Sequence, residues 1–378
     1  MDTFEITKQE GHARLGVINT RHGKVETPVF MPVGTQGTVK AITHKELVDM
    51  GVKMILANAY HLYLRPGDLL IKEMGGIQKF SGWEGPVLTD SGGYQVFSLG
   101  VLREIREDGV MFQSHIDGSR HFLSPERAIE IQENIGADIC MSFDECVPYP
   151  SSYEYTKKSV ELTSRWAERC RNSKINGDYL LFGIIQGSVY KDLRLKSAHD
   201  IVGMGFDGYA IGGLSVGEPK SIMWEMVDTV MDLLPREKPR YLMGLGFPED
   251  ILEGIHRGID MFDCVIPTRL ARNGNLFTWE GRINIKNARY TKDKRPVEAT
   301  CNCYTCRTYS RAYLRHLLVS HELTSFYLNT IHNMHFYAEF LKKIRETIRE
   351  GTFNAFYESF LLKFKGGELQ DEHGVCNG

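Results

Sequence analysis

The sequence predicts an α/β fold, a (β/α)8 TIM barrel interrupted after its eighth strand by a metal-binding insertion. Three observations carry this expectation. Eight short apolar, β-rich runs recur along the chain, most of them ending in small or polar residues, with helix-like segments between them; that rhythm is the outline of a barrel. The first run ends Val33-Gly34-Thr35-Gln36-Gly37, no G-x-G-x-x-G opens a helix there, and no Walker-type G-x4-G-K-[ST] occurs, so a doubly wound nucleotide-binding sheet is the poorer account. Three of the eight cysteines, Cys301, Cys303 and Cys306, fall within six residues of one another, and they do so where the rhythm stops.

Taken in order, the runs are 28–35, 54–60, 86–90, 137–143, 180–186, 208–214, 240–246 and 261–267. After the first, Thr43 with Glu46 three residues on reads as a capping box that opens a helix. After the third, Ser124 followed by Pro125 in the first-turn position opens another. A hairpin-like insert over 110–122, turning at Asp117-Gly118, departs from the rhythm. The second departure is the long interruption after the eighth run. Within it Phe326, Leu328, Ile331, Phe336, Phe340, Leu341 and Ile344 recur at helical spacing, which predicts a helix over roughly 321–350. The expected division is a barrel with N-terminal capping strands over 1–275, a metal-binding subdomain with a basic surface over 276–345, and a C-terminal helix returning to the barrel, with a tail, over 346–378.

Three clustered thiolates suit zinc, whose structural sites are tetrahedral and closed by sulfur or nitrogen, so a fourth ligand must come from further along. Candidates are His316, His321, His332 and His335, and spacing does not choose among them. The first thirty residues hold no apolar signal stretch and no uninterrupted apolar run reaches membrane-spanning length, so a cytoplasmic protein with no membrane partner is expected. Cysteines there are metal-bound or free more often than paired. The net charge of -3 hides a local imbalance. Between residues 282 and 295, Arg282, Lys286, Arg289, Lys292, Lys294 and Arg295 stand against Asp293 alone, and Arg307, Arg311 and Arg315 follow. A basic patch beside a zinc knot suits a phosphate backbone.

In such barrels the active site forms at the carboxyl ends of the strands. The polar residues there are Asn58, the segment Asp90-Ser91-Gly92-Gly93-Tyr94-Gln95, Asp144-Glu145-Cys146, Gln186-Gly187, Gly212-Gly213-Leu214, Met243-Gly244, and Asp263 followed by Thr268-Arg269. Three aspartates from three strands would meet at one mouth. Clustered carboxylates without a histidine-rich metal set suit acid/base and nucleophilic work at a sugar carbon. His61 is the one histidine placed at a strand end, and it has no histidine partner in sequence. The glycine pairs leave backbone N–H groups and space for a flat ring, with Tyr94 and Met243 as its faces.

These segments resemble the tRNA-guanine transglycosylases, in their bacterial form, over nearly the whole chain. The resemblance rests on Asp90-Ser-Gly-Gly-Tyr-Gln, Ser142-Phe-Asp-Glu-Cys146, Gly183-Ile-Ile-Gln-Gly187, Gly212-Gly-Leu-Ser-Val-Gly-Glu218, Tyr241-Leu-Met-Gly244, Asp263-Cys-Val-Ile-Pro-Thr-Arg-Leu-Ala-Arg272 and the cysteine cluster. It implies exchange of guanine at the wobble position (34) of G-U-N anticodon tRNAs, those for aspartate, asparagine, histidine and tyrosine, for 7-aminomethyl-7-deazaguanine in queuosine biosynthesis. In the family pattern Asp263 is the nucleophile of a double displacement through a covalent intermediate, and Asp90 is the general acid/base. Asp144 matches the carboxylate for the N1/N2 edge of the base, Gln186 and the Gly213 amide match donors to O6, and the Leu214 carbonyl, with Glu218 supporting its loop, matches the acceptor for the aminomethyl group. Tyr94 and Met243-Gly244 match the walls around the ring, Asn58 a partner of the ribose and of Asp90, and Cys146 a wall. Val216 and Cys146 resemble the bacterial pocket; the eukaryotic one is more open at Val216 to admit queuine. Arg269 and Arg272 match residues that hold the anticodon loop, and Lys286 and Arg289 extend that surface. The fourth ligand of one structural Zn2+ per subunit matches His332, and bacterial relatives are homodimers. The alternatives are a non-catalytic tRNA-binding partner subunit of the same fold, exchange with queuine, and a metal-dependent barrel hydrolase.

Overall fold

The computed structural model describes residues 3–99, 103–174 and 178–365. Each of the eight runs contains a barrel strand: β1 (Val29–Pro32), β2 (Ile55–Ala57), β3 (Val87–Thr89), β4 (Ile139–Met141), β5 (Leu180–Ile185), β6 (Gly208–Ile211), β7 (Arg240–Leu242) and β8 (Met261–Cys264). They pair in parallel in sequence order from β2 to β8, and β8 pairs with β1. The ring closes between β1 and β2 through one parallel bridge, Val33 to Leu56, where Gly34 N–H donates to the Leu56 carbonyl at 2.6 Å. The runs are longer than the strands because their last residues turn toward the mouth.

Side chains alternate along each strand, as the two-residue period of a strand requires. Val29, Met31, Leu56, Leu88, Ile139, Met141, Phe182, Ile184, Ala210, Tyr241 and Met261 fill the barrel interior, while Phe30, Ile55, Val87, Cys140, Leu181, Tyr209, Leu242 and Phe262 face the helices. At the amino-terminal end a three-stranded antiparallel sheet, Phe4–Glu10, Ala13–Thr20 and Gly23–Thr27, places Phe4, Ile18 and Val25 in the same inner cluster, so it plugs the barrel floor. This sheet is riveted by an ion pair that composition does not reveal. Arg14 donates to both oxygens of Asp260 at 2.8 and 2.5 Å, and both residues are buried. Removing one partner strands the other charge, which typically costs about 3–5 kcal/mol. Asp260→Asn should therefore lower unfolding free energy in urea by roughly that amount, and a loss below about 1 kcal/mol would mean the pair does not anchor the floor.

Both helix starts read from sequence are present. Thr43 and Glu46 form the reciprocal capping box of the helix His44–Asp49, and the Ser124 side chain accepts from Arg127 N–H at the head of Pro125–Ile135. The insert over 110–122 differs from a two-residue hairpin. Strands Gly109–Gln113 and Arg120–Leu123 are joined by a six-residue loop, 114–119, and a third strand, Arg103–Arg106, flanks them. Asp117-Gly118 lies inside that loop, where Asp117 accepts from the Ser119 amide and hydroxyl at 3.1 and 2.7 Å and Gly118 takes φ +74°. The third strand was illegible because Arg-Glu-Ile-Arg offers only Ile105 to a partner face.

After β8 come the helix Ile266–Arg272 and a hairpin, Asn275–Thr278 with Gly281–Asn284, before the helix Leu323–Glu350. That helix starts two residues later than the periodicity suggested, because His321 takes a left-handed φ of +57°, and it ends at Gly351 with φ +73°. Its buried and half-buried polar side chains lash the insertion to the barrel. Asn333 donates to the carbonyls of Pro267 and Asn275 and accepts from Phe277 N–H, Asn329 donates to Ala271, Tyr337 to Gly246, and Arg345 to Pro28. The final helix, Phe353–Lys365, packs on the barrel helix Pro248–His256 by stacking Tyr357 on His256 at 4.4 Å. The expected tail, 366–378, lies outside the described residues. No helix among them is long and apolar enough to cross a membrane.

Candidate active site

The inward parity of the strands carries over to the polar residues above them. Asn58 follows Leu56, Asp90 follows Leu88, Gln186 follows Ile184, Met243 follows Tyr241 and Asp263 follows Met261, each two residues on. Asp144 breaks that pattern. The strand ends at Met141, Phe143 turns outward to stack on Trp166 at 4.8 Å, and Asp144 enters the mouth from the loop.

Asp90 is buried and clamped by the head of the helix Ala59–Leu64: Asn58 Nδ2 donates to Oδ2, and the Ala59 amide donates to Oδ1 at 2.8 Å. Burial raises its pKa to about 6, the Asp263 charge adds to the rise, and hydrogen bonds from Asn58, Ala59 and Gln95 oppose it. Asp263 receives Tyr241 Oη at 2.5 Å and the Gly244 amide at 2.8 Å, both on Oδ1. Among the described residues its Oδ2 accepts no hydrogen bond. Burial raises its pKa as well, against those two bonds.

Asp144 forms a second centre. Ser91 Oγ donates to Oδ1 at 3.1 Å and Gln186 Nε2 to Oδ2 at 2.7 Å, and burial raises its pKa to about 6. The Gln186 Oε1 atom is buried with no partner among the described residues. Gly213 lies against it: a Cβ there would sit 2.1 Å from Gln186 Oε1, and the residue takes φ +62°, so only glycine fits. Beyond Leu214, which is buried, Glu218 accepts from the amides of Ser215 at 2.5 Å and Val216 at 3.0 Å, fixing the loop. Burial pushes the Cys146 thiol up to about 12, so it stays protonated. Tyr94, in the first turn of Gly93–Leu99, and Met243 are half-buried.

His61 does have a histidine neighbour in space. His115, from the loop 114–119, stands edge-on to it at 5.6 Å and accepts from or donates to Tyr60 Oη at 2.9 Å. The sequence hid this because the two lie in different segments. No carboxylate or further histidine joins them as ligands; among the described residues only Cys301, Cys303, Cys306 and His332 form a group that could hold a metal ion.

That group fits zinc in its donor set and spacing. His332 Nδ1 lies 3.8, 3.7 and 3.3 Å from the sulfurs of Cys301, Cys303 and Cys306. Tetrahedral Zn–S and Zn–N bonds would separate sulfur and nitrogen by about 3.6 Å. His335 Nδ1 approaches only Cys301, at 3.6 Å, and of the four histidines it is His332 that joins the group able to hold a metal ion. His332 Nε2 bonds the Phe277 carbonyl at 2.7 Å, which orients the ring and leaves Nδ1 for a metal.

The basic residues divide into two groups. Arg295 and Arg311 pair with Asp293, and Arg315 donates to the carbonyls of Lys286 and Asn287, so these three build the insertion. Lys286, Arg289, Lys292 and Lys294 are exposed. Arg269 and Arg272 lie on Ile266–Arg272, beside the mouth; Arg272 makes no ion pair among the described residues, and burial and the Arg269 charge lower its pKa.

Sequence reasoning assigned no role to Tyr241, Ser91 or Arg194. Tyr241 could have been found, since it shares the inward parity of Met243 and a buried phenol needs a partner. Arg194 could not: Lys191-Asp192-Leu193-Arg194 reads as the exposed start of a helix, yet Arg194 is fully buried.

The structure is thus a (β/α)8 barrel with three buried aspartates, Asp90, Asp144 and Asp263, at the carboxyl ends of its strands, where barrels of this class place their active sites, and a Cys3His cluster in the segment after the eighth strand. Comparison with known proteins narrows the class. The family description "Queuine tRNA-ribosyltransferase" matches residues 9–366. A protein of that name from Desulforamulus reducens is 55% identical over 96% of this chain and 99% of its own length, one from Pelotomaculum thermopropionicum 56% over 96% and 99%, and one from Solidesulfovibrio magneticus 54% over 97% and 99%. The chain belongs to the queuine tRNA-ribosyltransferase family, the tRNA-guanine transglycosylases.

Proposed function

We propose that this chain exchanges guanine 34 of G-U-N anticodon tRNAs for 7-aminomethyl-7-deazaguanine by double displacement at Asp263. The observation that carries the reading is the asymmetry of that carboxylate: both hydrogen bonds fall on Oδ1, which leaves Oδ2 to attack. Oδ2 bonds to ribose C1′ as the C1′–N9 bond breaks, the electron pair passes into the departing guanine, and Asp90 delivers a proton to it. The incoming base then gives its N9 proton to Asp90, attacks C1′ and releases Oδ2, so two inversions retain configuration. Because the Asp263 charge raises Asp90, converting Asp263 to a neutral ester makes Asp90 more acidic as it gives up its proton.

The base pairs its N1 and N2 donors with Asp144, displacing Gln186 Nε2, which turns with the Gly213 amide toward O6. Tyr94 and Met243-Gly244 cover the ring, the Leu214 carbonyl receives the aminomethyl group, and Val216 and Cys146 keep that end narrow. Asn58 orients Asp90. The target nucleotide must leave its stack, at a cost of a few kcal/mol, and Arg269, Arg272, Lys286 and Arg289 supply phosphate contacts that offset it. Residues 1–275 carry the chemistry and 276–345 the tRNA-facing surface, with the helix before the tail of 346–378 docked on the barrel. Cys301, Cys303, Cys306 and His332 would hold one structural zinc, which would secure the insertion by tying the 301–306 segment to the helix that carries His332. The exposed tyrosines Tyr304 and Tyr313, with Tyr309 stacked on Tyr313 at 5.2 Å, suit burial against a second copy in a homodimer. No disulfide joins the described cysteines, as suits the cytoplasm.

Labelled guanine should enter unmodified G-U-N tRNA and be displaced by the aminomethyl base. Retention of tRNA with zinc bound but no incorporation would favour the non-catalytic partner. The two half-reactions should respond oppositely to pH. Guanine release needs Asp90 protonated, so single-turnover adduct formation should fall as pH rises above about 6; resolution by incoming base needs it ionised and should slow as pH falls, with its turning point below that of the first step because the Asp263 ester no longer raises Asp90. Parallel profiles for the two steps would remove Asp90 from the proton-transfer role.

A further inference from the structure

Arg194 sits at the start of the helix Lys191–Met204 with its guanidinium fully buried between the ends of β5 and β6. Among the described residues it makes no salt bridge, although the nearby Glu218 charge favours the cation. Nε donates to the Ser188 carbonyl at 2.8 Å, Nη1 to Ile185 at 3.2 Å and Gly212 at 2.7 Å, and Nη2 to Gly213 at 3.1 Å. Burial lowers its pKa only to about 10, so the cation persists at neutral pH. A buried charge held by four carbonyl dipoles is an expensive arrangement. Lysine could not reproduce it, because the planar fork is what reaches two strand ends at once.

The carbonyls it grips are not arbitrary. Ile185 precedes Gln186, and the Gly212 carbonyl belongs to the same peptide unit as the Gly213 N–H. In a trans peptide the carbonyl and the N–H point in opposite directions. Fixing the Gly212 carbonyl on the guanidinium therefore turns the Gly213 N–H away from it, and that amide bonds no described residue. The same logic operates in mirror form two peptides on. Glu218 holds the Ser215 amide, which turns the Leu214 carbonyl the other way. The glycines make room for this: a Cβ on Gly187 would lie 2.8 Å from the Arg194 backbone nitrogen, and one on Gly212 would lie 2.9 Å from Gln186 Nε2.

The geometry points to Arg194 as the positioning residue for the O6 donors, setting the Gly213 N–H and the β5 end that carries Gln186 at a fixed separation for any guanine-like ring. This rests on the base-exchange reading above. The leaving and the incoming bases share O6, whereas only the incoming one carries the aminomethyl group. Loss of Arg194 must therefore weaken both bases by the same factor, unlike a defect at the Leu214 end of the pocket.

The test uses the full chain with Arg194→Lys and Arg194→Met, reading KM for free guanine, KM for 7-aminomethyl-7-deazaguanine, KM for tRNA, kcat, and the thermal midpoint. Expected is a rise of at least tenfold in KM for both bases, equal within twofold, with tRNA KM unchanged within twofold and the lysine variant less affected than the methionine one. A purely structural role would lower the midpoint and the active fraction without moving base KM. An unmoved base KM, a parallel rise in tRNA KM, a rise confined to the aminomethyl base, or failure of both variants to fold would each overturn the proposal. The native chain serves as the control: if it exchanges no base, the functional reading falls first, whereas exchange with an unmoved base KM in the variants defeats only the role of Arg194.

Discussion

Asp263→Asn should abolish base exchange, by on the order of 10^5-fold or more if it behaves as other covalent nucleophiles do on removal, and should eliminate the tRNA adduct on a denaturing gel. The substitution is close to isosteric. An asparagine Oδ1 can still accept from Tyr241 and Gly244, so the site keeps its shape while the attacking oxygen becomes an amide nitrogen. tRNA affinity should stay within about twofold, because phosphate contacts dominate binding energy. Residual exchange at a tenth of the native rate would move the nucleophile elsewhere. Asp90 is the other candidate, and the two differ in their surroundings: Asp90 has donors on both oxygens, from Asn58 and Ala59, whereas Asp263 has both donors on one. Doubly clamped oxygens suit a group that shuttles protons without moving. A carboxylate with one free oxygen suits bond formation.

Metal removal should have the second large effect. Structural zinc sites bind with apparent free energies of about 10–16 kcal/mol at neutral pH, and that energy is folding energy wherever the ligands are otherwise unrestrained. Here Cys301, Cys303 and Cys306 come from an irregular segment and the short helix Tyr304–Thr308, with Cys303 itself capping that helix by accepting from the Cys306 amide. His332 comes from the long helix that also braces the barrel. Cys303→Ser should release one zinc per chain, lower the thermal midpoint by about 10 °C or more, at roughly 2–4 °C per kcal/mol for chains of this order, and weaken tRNA binding more than base binding. In the proposed function the base sits among strand ends, whereas among the described residues the side chains of the four ligands hydrogen-bond one another, His335, the Cys306 amide and the Phe277 carbonyl. Equal losses of tRNA and base binding would show that the knot supports the mouth directly, and no metal in the native chain would remove zinc from the account.

The barrel was legible because its strands carry their signal locally. Eight apolar runs, most of them ending in small or polar residues, can be counted in a single sequence, and the inward parity that puts Leu88 in the interior also puts Asp90 at the mouth. What escaped was what depends on distant segments. Arg14 and Asp260 meet across the floor although they stand 246 positions apart in sequence. His115 reaches His61 because a loop folds over a helix start. Arg194 lies on a helix whose first turn looks hydrophilic, and only the closeness of two strand ends makes its burial possible. Spacing could not choose among four histidines because Cys301 faces two of them, and three sulfur distances were needed to decide. The resemblance to a family supplied the roles at the mouth. The geometry supplies the asymmetry of Asp263 and the two-sided pinning of residues 212–216, neither of which a motif states.

The measurement that bears most directly on the central claim is the fate of nucleoside 34. Unmodified tRNA with a G-U-N anticodon is incubated with the native chain and 7-aminomethyl-7-deazaguanine, and released guanine and the nucleoside at position 34 are quantified by mass spectrometry. One guanine released for each 7-aminomethyl-7-deazaguanosine gained at position 34, with no other nucleoside changed, is the expected result. Guanosine retained at position 34 while the chain binds the tRNA, or exchange at a different position, would contradict it.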